Sequence, residues 1–235
     1  MKSRLRKILL LSLLAILALG PATSAQGAPG ALGKTRNEEF QYHWQLRNFL
    51  GTLAGLFLPS QGDGSLTFRP AGNGHLRSEL TITSTAARQG EYFRYGSEID
   101  TRTLQPIRAW SSYSWRGETK SKDEPVNQTG VLDIASGIYA IRQDPPLKTR
   151  RMEIWSDGKI YPVVVIPLGV ESRKLRDGRR VDLRHFSIRG VNAPSRNRWK
   201  GKLDLWLSRD DSATPVEILI SRNLADVHME MKPVS

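Results

Sequence analysis

The chain has 235 residues, 39% of them hydrophobic, a formal net charge of +12 and no cysteine. That length supplies one sizeable core or two small ones. The missing cysteines exclude disulfide staples, thiolate metal sites, thiol catalysis and a lipoprotein anchor, which needs a Cys at its cleavage site.

The first 25 residues read as a secretory signal peptide. Lys2, Arg4, Arg6 and Lys7 make a positive start, and Ile8 to Leu19 is apolar except for Ser12. Gly20 and Pro21 end the run, and Thr23 and Ala25 fit the small-residue positions of a cleavage site. The apolar run is shorter than the ~20 residues of a membrane span. The expected address is the periplasm, with cleavage after about Ala25 and no transmembrane span left. Cleavage removes four basic and no acidic residues, and the chain stays basic. A basic exported protein meets lipid phosphates and acidic polysaccharides rather than nucleic acid.

Residues 26–37 are Gly, Ala, Pro and polar residues without periodicity and read as a flexible leader. The rest, 38–235, reads as a single β-rich domain. Phe40, Tyr42, Trp44 and Leu46 alternate with polar residues, the mark of a half-buried strand. Gly51 to Leu58 is a short apolar run, and Gln61-Gly62-Asp63-Gly64 reads as a turn. Strands follow at Leu66–Phe68, Leu76–Ile82, Phe93–Ile99 and Ile107–Arg116. In the last, Tyr113 and Trp115 share one face and Trp110 lies on the other. Glu118 to Gln128 reads as a charged loop.

Between 131 and 142 the apolar spacing turns helical, with Asp133 as a cap and Pro145-Pro146 as a stop. This one short helix is expected to cover an end or open face of the sheet. Strands resume at Met152–Trp155 and Ile160–Ile166, joined by the Asp157-Gly158 turn. A second hairpin turns at Arg176-Asp177-Gly178-Arg179. Leu203, Leu205 and Leu207 alternate with Asp204 and Trp206, so that strand carries apolar bulk on both faces. Strands at Val216–Ile220 and Val227–Met231 close the chain. Ala193 to Arg198 is a basic Pro/Asn/Ser loop. The fold class is mainly β: a curved antiparallel sheet, or a partly open barrel or sandwich, with one short helix.

Three segments resemble a bacterial envelope family catalogued as domain of unknown function 3108. Asp133, Ser136, Tyr139 and Arg142 match its "D-x-x-S-x-x-Y-x-x-R" helix. Asp157-Gly158-Lys159-Ile160-Tyr161 precedes a Val-rich strand, and Trp206, Asp211 and Pro215 match its ending. The resemblance implies an exported, β-rich domain with a curved sheet and no assigned activity. The bulky Leu56-Phe57-Leu58 departs from the small residues usual there.

Catalytic signals are weak. His43, His75, His185 and His228 include no pair at i,i+2 or i,i+4, so no metal and no cofactor is expected. His43 and His228 fall on strand positions that read as solvent-facing. Asp157, Asp210 and Asp211 sit in turns, where Asp bonds its own backbone. No nucleophile elbow or phosphate loop occurs. The leading reading is a non-catalytic envelope protein that binds a lipid or anionic glycolipid on a concave aromatic sheet face. Trp110, Tyr113, Trp115 and Trp155 are the apolar candidates, with Arg173, Lys174, Arg198 and Lys200 for the head group. An interaction module with an envelope protein partner, and an envelope glycan hydrolase, are the alternatives.

Overall fold

The computed structural model describes residues 37–47, 60–84, 90–115, 117–191, 198–222 and 225–233. The signal peptide, its cleavage site, the leader up to 36, the apolar run 51–58 and residues 193–197 of the basic loop lie outside these, as does the side chain of Trp115.

The described residues form one 13-stranded sheet and one helix. The strands are β1 (Glu38–Arg47), β2 (Gln61–Gly72), β3 (His75–Ser84), β4 (Tyr92–Asp100), β5 (Pro106–Trp115), β6 (Glu118–Pro125) and β7 (Val131–Leu132). After the helix α1 (Ile134–Gln143) come β8 (Arg150–Ser156), β9 (Lys159–Lys174), β10 (Arg180–Gly190), β11 (Lys202–Leu207), β12 (Pro215–Arg222) and β13 (Ala225–Met231). Their spatial order is β6-β5-β4-β3-β2-β1-β13-β12-β11-β10-β9-β8-β7. Every pairing is antiparallel except β7 on β8.

β6 and β7 are consecutive in the chain yet are the two edges of the sheet. The sheet therefore winds round until its ends meet, and they overlap instead of pairing. Glu124 shares its face of β6 with Ala109, which lies opposite Ser97 on the concave side. That carboxylate accepts a 2.9 Å bond from Trp155 Nε1, on the convex face of β8. Ala109, Val126, Val131 and Trp155 pack a small apolar cluster in the overlap. The structure is a scroll with a lap joint, not a closed barrel.

α1 lies inside the scroll. Ile134 to Arg142 are all buried. Small or apolar residues surround the helix axis, as a helix enclosed on all sides requires. The expected lid is thus an interior plug, and the periodicity could not tell one from the other. Its start is a capping box: Asp133 accepts from the amides of Ala135 (3.0 Å) and Ser136 (2.9 Å), while Ser136 Oγ accepts from the Asp133 amide at 3.0 Å.

Two other expectations are corrected. Gln61 to Gly64 is not a turn but the start of β2. A Cβ on Gly62 would lie 2.0 Å from Thr83 O and 2.5 Å from Trp44 Nε1, so glycine there makes room for an indole. Glu118 to Pro125 is not a loop but the edge strand β6, almost wholly exposed. With no buried face it has no apolar alternation, and only its backbone pairing to β5 makes it a strand. Its charges and terminal proline are what an open edge needs against aggregation.

The β9–β10 hairpin makes the second overlap. A bulge at Gly169 (φ 92°), opposite His185 and Phe186, bends the long strands. The distal arm folds across the convex face of β11–β13. Leu175, Val181 and Leu183 meet Trp206, Val216 and Leu219 there in a satellite core.

Candidate functional site

The scroll offers two built features, one on each side of the sheet. The first is apolar. Between α1 and the concave faces of β8–β11 lies a cavity of about 20 Å³, bounded by Ile138, Ile141, Met152, Ile154, Trp199 and Leu203 among others. It has room for one water-sized body and no polar partner for a water. Trp199 is buried against the backbone at Gly190 and Gly201. Its neighbours Arg198 and Lys200 are both exposed.

The second is a charged cluster on the convex face in which Asp204, Glu217, His228 and Glu230 are buried. The alternation of β11 sends Leu203, Leu205 and Leu207 to the main core and Asp204 and Trp206 to the other side. Arg173, on the folded arm, stacks over the Trp206 ring at 4.7 Å and pairs with Glu217 at 2.8 Å and Glu171 at 3.0 Å. Trp206 Nε1 donates to Glu171 Oε2 at 2.9 Å, and the His185 ring stacks on the indole at 4.3 Å. Beyond it Asp204 faces His185 at 3.5 Å and Lys202 at 2.5 Å. Burial acts to raise the Asp204 carboxyl, but His185, Lys202 and Ser187 outweigh it and hold it at about 2. Glu217 behaves alike: burial acts upward, and His228 and Arg173 bring the net value below the usual carboxylate range.

At the heart of this cluster Glu217, His228 and Glu230 each present a ligand-type atom within 4.8 Å of the other two. Glu217 and Glu230 are direct cross-strand partners, and His228 precedes Glu230 by two on the same face. The expectation that His228 faces solvent is corrected: the residue is 2% exposed, because the arm covers a face that local alternation alone would leave open. His43, opposite Glu230 on β1, is half-buried, and burial with Arg176 holds its imidazole below the ordinary histidine range. A search for paired histidines misses the cluster because its ligand types are one His and two Glu on neighbouring strands. The signal was His228-x-Glu230.

The residues selected from the sequence do not form one site. Trp110 sits on the convex face, over Gly96 and under the Arg77 guanidinium at 4.6 Å. Tyr113 is on the opposite face, stacked on Phe93 at 5.8 Å. Trp155 is sealed in the lap joint. Arg173 belongs to the buried charge cluster, while Lys174 is exposed at the end of the arm. Arg198 and Lys200 are exposed and flank in the chain Trp199, which lines the apolar cavity.

Of the family-like residues, the four on the helix, Asp133, Ser136, Tyr139 and Arg142, anchor it to the sheet, whereas Trp206 lies on the convex face under the arm. Asp133 Oδ1 accepts from Ser97 Oγ and Ser136 Oγ, both at 2.6 Å, which ties the helix start to β4. Tyr139 packs on Phe68 with ring centres 5.0 Å apart. Arg142 donates to the carbonyls of Ala213 (2.9 Å) and Ser212 (3.0 Å) in the turn that holds Asp211 and leads to Pro215. In that turn Asp210, not Asp211, accepts from Ser208 and Ser212. These groups hold the plug in the scroll.

No family model matches the chain, and no curated protein matches it. Among solved structures it is similar to a β-barrel-like protein of domain of unknown function 1849 from Brucella abortus, at 8% identity and a TM-score of 0.45, covering 85% of this chain and 97% of that one. It is also similar to the hypothetical lipoprotein YmcC from Escherichia coli, at 8% identity and a TM-score of 0.37, covering 86% and 90%. LprF from Mycobacterium bovis follows at 13% identity and a TM-score of 0.24, covering 85% and 88%. Likenesses this distant carry nothing about ligand or activity. The described residues define the class as an open, almost wholly antiparallel scroll wound around one helix, and no described helix is long and apolar enough to cross a membrane.

Proposed function

We propose that this chain is an exported, non-catalytic protein of the bacterial envelope that binds an anionic amphiphile between α1 and the β8–β11 face. The observation that carries the reading is the apolar cavity that ends at Trp199, with exposed Arg198 and Lys200 on either side of that residue in the chain. An acyl chain suits the first and an acidic head group the second. The signal-like start supports the periplasmic address, and the helix motif Asp133, Ser136, Tyr139, Arg142 supports kinship with the domain 3108 family.

The cavity of about 20 Å³ is far below the ~300 Å³ of an ordinary ligand pocket. Binding therefore requires α1 to shift away from β8–β11. Gly137 is the thin point of that contact: a Cβ there would lie 3.3 Å from Ile154 Cδ1. Each methylene buried adds ~0.8 kcal/mol before ordering costs.

Titration with a fluorescent fatty acid and with a phosphoglycolipid below its micelle concentration, read by tryptophan quenching, tests the proposal. Saturable binding is expected, weakened about tenfold by R198E with K200E as salt screens the head group. Gly137→Ala, which fills the cavity, should weaken binding of the apolar tail at all salt concentrations. Absence of saturable binding, or indifference to all three substitutions, overturns it.

A further inference from the structure

We propose that Glu217, His228 and Glu230 form a binding site for one divalent transition-metal ion of the zinc class, on the convex face beneath the β9–β10 arm. Three observations carry it. The ligand atoms are gathered within 4.8 Å by adjacent strands of one sheet, so the backbone holds them in place. All three residues are buried. His228 Nε2 is also buried, has no hydrogen-bond partner and stands 3.6 Å from Glu217 Oε2. A buried ring nitrogen left unpaired is costly unless something else engages it.

The separation is suggestive. Two ligands bound tetrahedrally to zinc at ~2.0–2.1 Å stand ~3.3 Å apart. His228 and Glu217 are already close to that spacing, and small rotamer changes bring in Glu230. The charge balance agrees. The contacts on the two carboxylates supply one guanidinium, Arg173, and one backbone amide, that of Arg176, which donates to Glu230 Oε1 at 2.6 Å. Arg173 holds Glu217 Oε2, the oxygen nearest His228, and the Arg176 amide holds Glu230 Oε1, so each carboxylate keeps a second oxygen, which Glu217 offers by turning its carboxylate toward His228. A divalent cation brings the missing positive charge, and an imidazole with carboxylates is a donor set that zinc and its neighbours accept. Arg173 also reaches Glu171, so it keeps a carboxylate if Glu217 turns to a metal. Three protein ligands leave a fourth position for water, the open arrangement. The site is separate from the cavity at Trp199, and either can fail without the other.

The experiment is calorimetric titration of the purified full chain with zinc chloride. One ion per chain is expected, with affinity lowered at least about 100-fold by His228→Ala and by Glu230→Gln, and unchanged by His75→Ala. His75 is a fair control because it pairs with Glu98 on the other half of the sheet. Circular dichroism checks that each variant folds. If both ligand variants fail to fold, the cobalt(II) spectrum of the unaltered chain decides. Intense visible bands of a low-coordinate ion with bound imidazole support the site. The weak bands of aqueous cobalt overturn it, as do zinc binding that survives both ligand variants and the absence of stoichiometric binding.

Discussion

Arg142 and Glu38 meet in a two-point contact, Nη1 to Oε2 at 2.8 Å and Nη2 to Oε1 at 3.2 Å, between the last turn of the buried helix and the first described strand. The Arg142 side chain is 2% exposed and Glu38 31%. The guanidinium also lies over the rings of Phe40 (4.8 Å) and Phe68 (5.2 Å) and caps two carbonyls of the 208–214 turn. One side chain thus joins the helix, β1, β2 and the β11–β12 turn. Arg142→Met should cost about 2–4 kcal/mol, because it strands two carbonyls as well as one carboxylate. Glu38→Gln should cost only about 1 kcal/mol, since Glu38 is partly solvated. Urea unfolding of both variants checks the order.

Asp133→Ala and Tyr139→Ala should destabilise to a similar extent. Seen as a helix cap alone, Asp133 would be worth ~1 kcal/mol and the buried aromatic ~3–5 kcal/mol. In the structure Asp133 is itself buried and takes hydrogen bonds from Ser97, Ser136 and two amides, and each donor left unpaired adds ~1–3 kcal/mol. Chemical denaturation that found the Asp133 variant costing only a cap's worth would show that water replaces the lost carboxylate.

Gly96→Ala, at a buried glycine beneath the Trp110 ring, should be among the more damaging glycine substitutions. The added methyl would stand 2.6 Å from Ser78 O and 2.5 Å from the Trp110 ring. The indole must leave its place between Gly96 and Arg77, at a cost toward the upper end of ~1–3 kcal/mol. Gly96→Ala in a Trp110→Ala background should recover part of that loss, and thermal melts of the pair give the coupling.

Stability should fall in acid through the convex-face cluster. Asp204 has a folded value of about 2, below the ~3.9 of an unfolded Asp, so its stabilisation is complete above pH ~4 and is lost as pH falls through 2. The shift corresponds to ~2 kcal/mol for a side chain that is almost fully buried. Glu217 and Glu171, both lowered, act in the same direction. Unfolding free energies measured between pH 6 and pH 2 should show this decline, and Asp204→Asn should show a shallower one.

Much of the architecture is written in local patterns. Alternation along 76–82, 93–99 and 203–207 gives strands and their inward faces, and Asp157-Gly158, with φ of 53° and 75°, makes the hairpin turn its residues demand. The helix and its Asp133 cap were legible because spacing and capping are properties of ten adjacent residues. β6 was not, because an exposed edge strand has no buried side to imprint on the sequence. The position of α1 within the scroll was not legible either, since a helix apolar on several sides can be covered in more than one way. Nor could the burial of His228, Glu217 and Glu230 be read, because local alternation assigns a residue to a face and not to what later folds across that face. The chain by itself determined its alternating strands, the Asp157-Gly158 turn, the helix with its cap, and the two-sided apolar character of the 203–207 strand. Only tertiary structure decided that the sheet overlaps itself, that the helix fills its interior, and that the bulged β9–β10 arm crosses the convex face. Each of these depends on contacts between segments far apart in the chain, whose energy no local window contains.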